Sequence, residues 1–79
     1  MADKEMFYLQ PFRRRAGDLT PCELVEGRDE DDVFRRGRAM LHRVDGMRFY
    51  RIDCSASGDQ WTEVELLAAV GEAGGEEAA

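Results

Sequence analysis

The chain has 79 residues, of which 43% are hydrophobic and 35% charged, with a formal net charge of −6. Such a chain makes one small globular domain and has no apolar run near the roughly 18 residues that cross a bilayer. The negative charge opposes generic binding to nucleic-acid backbones, which depends on Lys and Arg neutralising phosphates.

That charge is unevenly spread. The 17 acids fall to 14 against 11 bases once Glu72, Glu76 and Glu77 of the final "GEAGGEEAA" are set aside. Residues 1–71 are expected to form the single domain and 72–79 a disordered acidic tail. Cys22 and Cys54 are too few for a disulfide framework, and "MADKEMFY" lacks the basic-then-apolar run of a secretion signal. Both features lead us to expect a cytoplasmic protein with reduced thiols.

In chain order, the first element is "EMFYLQPFR", residues 5–13, an aromatic-rich strand whose Pro11 points to an edge or a bulge. The Gly-Asp pair in "RRAGDL" supplies turn chemistry. The segment after it reads two ways. Thr20, Pro21, Glu23 and Gly27 could cap, start and stop a short helix, while Leu24 and Val25 suit a strand across 18–26, which is favoured because a six-residue helix is marginal.

From Asp29 to Val44 the spacing predicts one amphipathic helix. At 100° per residue, Val33, Phe34, Gly37, Met40, Leu41 and Val44 fall within an arc of about 120°. The acids Asp29–Asp32 stand where a helix start has unpaired N–H groups and the positive end of its dipole. They do not match a calcium loop, since Phe34 and Met40 take the positions that need Gly and Glu.

Asp45-Gly46 then turns the chain into a hairpin of residues 47–54 and 61–70. Tyr50, Ile52 and Cys54 alternate on one strand, and Val64, Leu66, Ala68 and Val70 on the other. Placing both sets inward sets Ile52 opposite Val64, Tyr50 opposite Leu66 and Arg51 opposite Glu65, with Ala56 facing Gln60 around a Ser57-Gly58-Asp59 loop. The expected architecture is therefore α+β in two layers: an antiparallel sheet of about four strands, in ββαββ order, with one helix on one face.

This arrangement leaves Met47, Phe49, Trp61, Leu67 and Ala69 outward, beside Arg51. A face that apolar suggests a non-enzymatic module that binds a protein partner or a second copy through the outer sheet face or an edge strand, with Phe49, Arg51, Trp61 and Leu67 as its surface. Arg13, Arg14 and Arg15 form a basic cluster, which makes weak nucleic-acid binding the first alternative. Cys22, His42 and Cys54 are three soft ligands, so metal or small-molecule binding is the second, though the close paired spacing of zinc sites is missing. Neither a catalytic set nor a cofactor motif is visible in the sequence.

In its "PFRR" after an aromatic strand, its Gly-Asp-Leu and Pro, its acid-headed helix and its closing "EVELLAAVGEAG", the chain resembles a group of small bacterial proteins of unknown function. The resemblance implies an α+β layout and carries no activity.

Overall fold

A computed structural model describes residues 4–55, 57 and 59–71. It contains β1 (Lys4–Arg15), β2 (Asp18–Pro21), β3 (Val25–Gly27), α1 (Glu30–Ala39), a 3-10 turn (Leu41–Arg43), β4 (Gly46–Cys54) and β5 (Trp61–Gly71). The strands form one antiparallel sheet in the order β2-β1-β4-β5, with β3 also on β1. Among the described residues a single α-helix lies on one face, so the fold is two-layer α+β.

The segment that read as either helix or strand is a strand broken in two. β2 places Phe12 opposite Pro21, whereas β3 places Tyr8 opposite Glu26, so one extra residue lies between the two pairings. Pro21 offers no ladder N–H, and the side chain of Gln10 holds the break by donating to the Cys22 carbonyl at 2.7 Å. The turn before it is tight: Ala16 and Gly17 both have positive φ, 51° and 89°, which is the mirror-image turn that suits a two-residue hairpin.

The helix starts where the acids predict. Asp29 caps it by accepting from the Asp32 N–H at 2.8 Å, and Asp32 accepts from the Arg28 N–H at 2.9 Å. Asp32 is buried, 3% exposed, and its carboxylate also takes Arg36 at 3.0 Å and Arg35. The Arg28 N–H foremost, then the two guanidiniums, hold its pKa well below the usual carboxylate range.

The helix is shorter than the 29–44 span expected. It ends at Ala39, Met40 caps it with φ −110°, and the chain tightens into the 3-10 turn. The tighter winding rotates Leu41 off the stripe, so this predicted core residue is exposed. Val33 and Gly37 are buried as predicted, with Phe34, Met40 and Val44 packed around the core. Gly37 makes a close approach possible, because a Cβ there would stand 2.5 Å from Phe49 Cζ.

The larger correction concerns which side of the sheet the helix covers. The pairings Ile52–Val64, Tyr50–Leu66 and Arg51–Glu65 are those predicted. Yet α1 sits over Phe7, Leu9, Met47 and Phe49, not over Tyr50 and Ile52. Phe49, expected outside, is 3% exposed and stacks on Phe34 with ring centroids 4.4 Å apart.

Two irregularities in the hairpin complete the exchange. Phe49 pairs with Ala68 and Tyr50 with Leu66, so Leu67 is an inserted residue, and Ala68 and Val70 join the helix side. A second slip sets Cys54 opposite Trp61. The Ser55 N–H donates to the Gln60 carbonyl at 2.8 Å at the hairpin tip. The predicted partner Ala56, the loop residue Gly58 and the tail 72–79 lie outside the described residues.

Candidate functional site

With the helix on the other side, the open face of the sheet gathers side chains from every strand. In an antiparallel sheet, directly paired residues project to the same side. The pairings therefore put Tyr8 beside Tyr50, Met6 beside Ile52, Gln10 near Leu24 across the break, and Trp61 beside Cys54. Tyr8, Leu24, Tyr50, Ile52, Trp61 and Val64 enclose a groove of about 190 Å³.

This face holds most of the exposed apolar bulk. Leu24, Trp61, Val64 and Leu66 are 45%, 59%, 52% and 42% exposed, and among the described residues only Leu41 of the large exposed apolar side chains lies elsewhere. The floor between them is closed: Ile52 and Cys54 are buried, with the Cys54 Sγ 3.3 Å from the Met6 Sδ.

Charge is confined to the margins of the face. Glu26 stands opposite Tyr8, and together with burial, the larger influence, it raises the pKa of the Tyr8 phenol. At the far end, the Arg48 guanidinium lies 5.5 Å from the centre of the Phe12 ring. The acids of the central strands turn the other way. Arg51 holds Glu65 at 2.7 Å, Glu5 at 2.9 Å and Asp53 at 3.2 Å, tying β1, β4 and β5 together on the helix side beyond the end of α1. These carboxylates, Glu65 first, push the Arg51 pKa further up.

The four residues predicted as a partner surface are thus dispersed. Trp61 is on the open face, Phe49 is in the core, Leu67 packs against the core and Arg51 binds carboxylates on the helix side. Tyr8, Leu24, Tyr50, Val64 and Leu66 were not singled out for the surface. The signal for them was present, since both alternating sets of the hairpin are apolar, but alternation does not say which set a helix will cover.

The arginine cluster is split by the same alternation. Arg13 lines a groove on the helix side with Pro11 and Arg43. Arg14 pairs with Leu19, its N–H donates to Asp45 Oδ2 at 2.6 Å, and its guanidinium donates to the Gly17 carbonyl at 2.6 Å. Arg15 sits at the turn opposite Asp18. The three do not make one basic patch.

Cys22, His42 and Cys54 are not brought together. The Cys22 N–H bonds to the Pro11 carbonyl, whereas Cys54 pairs with Lys4. Those positions are seven steps apart along β1, or about 23 Å of strand. His42 is exposed in the 3-10 turn. Among the described residues no cluster of three or more His, Cys, Asp or Glu side chains could hold a metal ion. Ser55 and Ser57 both bond Asp59 in the hairpin loop, at 3.0 Å and 2.6 Å, and hold that carboxyl below its ordinary pKa.

The outer edge of the sheet is formed by β5, eleven residues without Pro, Lys or Arg. The opposite edge is interrupted by the Cys22–Leu24 break. No helix among the described residues is long and apolar enough to cross a membrane. No family model, curated protein or solved structure matches the chain.

Proposed function

We propose that the protein is a non-enzymatic association module whose open sheet face, centred on Tyr50, Ile52, Trp61 and Val64, stacks against the same face of a second copy. The observation that supports this most is the concentration of exposed apolar side chains at the centre of one face, left uncovered by the other described residues, whose charged residues Lys4, Arg14, Glu26 and Arg48 stand towards its margins. A two-fold stacking lays one uncharged centre on the other and keeps the acids at the rim and on the helix side.

Size also supports the reading. Four strands at ~4.8 Å and about eight residues at ~3.3 Å give a face of roughly 500 Å². Two copies would bury about 1,000 Å² together, the lower bound for a specific interface. The expected dimer is therefore a reversible one, with the sheets about 10 Å apart.

Sedimentation velocity over a micromolar-to-millimolar series tests this. The wild type should shift from monomer to dimer. Trp61→Ser should weaken the shift, and Val64→Glu with Leu66→Glu should abolish it while the circular dichroism spectrum is retained. A wild type that stays monomeric at high micromolar concentration, with Trp61→Ser indistinguishable from it, would refute the proposal. Retarded mobility of single-stranded RNA at low salt without dimerisation would instead favour nucleic-acid binding.

A further inference from the structure

The break between β2 and β3 and the early end of α1 have a joint effect on the helix side. They leave a groove of about 260 Å³ over the end of β1. Its apolar lining comes from Pro11, Val25, Met40 and Val44, and two cations flank it, Arg13 from β1 and Arg43 from the 3-10 turn. Among the described residues Arg28, Arg35 and Arg36 meet Asp32, and Arg51 meets Glu5, Asp53 and Glu65, whereas Arg15 and Arg38, like the two in the groove, have no carboxylate within 4.0 Å but do not line it. Arg13 and Arg43 have no carboxylate within 4.0 Å among the described residues, although Glu23 lines the same groove.

We propose that this groove binds a short aliphatic carboxylate, with its head between Arg13 and Arg43 and its chain on Pro11, Val25, Met40 and Val44. Charge complementarity selects the head: a guanidinium fork matches a carboxylate with two parallel hydrogen bonds, and two forks outweigh the single repulsive Glu23. The volume selects the length. It is slightly below the ~300 Å³ at which drug-sized pockets begin, so the ligand has on the order of ten non-hydrogen atoms. The groove lies on the opposite side of the sheet from the association face, and its occupancy does not depend on dimerisation.

Cys22 provides the assay. It lines the groove and is partly buried, whereas Cys54 is fully buried, so in the folded protein alkylation reports on Cys22 alone. Millimolar octanoate should slow the reaction of the full chain with N-ethylmaleimide and should shift the amide resonances of residues 22–25 and 40–44. Arg13→Gln and Arg43→Gln should each weaken this protection about tenfold, and Glu23→Gln should strengthen it. All three side chains are exposed, so each variant should retain the fold, which its circular dichroism spectrum checks.

Octanol and inorganic phosphate, each carrying half of the proposed chemistry, should protect far less than octanoate. The proposal is overturned if octanol protects as well as octanoate, if phosphate alone does, if the double variant Arg13→Gln, Arg43→Gln is protected like the wild type, or if octanoate leaves both thiol reactivity and resonances unchanged.

Discussion

The two faces of the sheet are built from the same strands and from similar side chains, yet one lies under the helix and the other is open to water. On one, Leu9, Met47 and Phe49 lie beneath Val33 and Gly37 and are almost wholly removed from water. On the other, Trp61, Val64 and Leu66 are comparably apolar and remain wet. Apolar character therefore does not distinguish core from surface in this protein; the presence of the helix does. Covering such a face would release roughly 25 cal/mol for each Å² removed from water, which is the driving force the proposed association would use.

Truncation on each side provides the strongest contrast. Leu9→Ala should destabilise the fold by about 2–5 kcal/mol, since it empties a fully enclosed site. Leu66→Ala, measured on dilute monomer by the same urea titration, should stay within about 1 kcal/mol of wild type. Equal costs would erase the distinction between the faces.

The close contact of helix and sheet side can be probed at Gly27. A Cβ there would stand 2.9 Å from the Val33 Cα and backbone nitrogen, and the backbone cannot turn aside as a side chain can. Gly27→Ala should cost about 1–3 kcal/mol in thermal or urea unfolding.

Asp32 makes the helix side sensitive to acid. Its folded pKa is depressed, so its contribution is fully present above its unfolded pKa of about 3.9 and is lost as pH falls through the lower folded value. In wild type, stability should decline with falling pH below about 4, and Asp32→Asn should remove that part of the decline while lowering stability at neutral pH. Parallel pH profiles for the two proteins would contradict the role given to Asp32. The smallest effect is expected at the turn remote from both faces. Ala16 adopts φ 51°, so Ala16→Asn should stabilise by about 1 kcal/mol and leave association unaffected.

Much of the fold is legible along the chain because it depends on neighbours in sequence. Asp29 caps the helix since a carboxylate three residues before an N–H can reach it, and the turn at Ala16-Gly17 follows from local backbone preferences. The pairing of Ile52 with Val64 follows from matching two alternating runs. The candidate surface was less legible. Trp61 is exposed on the open face, whereas Phe49 and Leu67, expected outward, lie on the side the helix covers, and alternation alone does not single out Tyr8, Tyr50 and Val64 as their replacements.

What the residues determined alone was the α+β class, the order of its main strands and helix, the cap, the presence of the first turn and the central register, all of which rest on contacts across a few residues or a single hairpin. Tertiary structure decided the rest: which side α1 covers, that Leu67 is inserted in β5, that Arg13 lines a groove on the helix side together with Arg43, and that Cys22 and Cys54 lie far apart. The physical reason is that both faces of the β4–β5 hairpin are apolar enough to form a core, so the choice is made by the helix. It settles where Gly27 and Gly37 let it approach the sheet most closely.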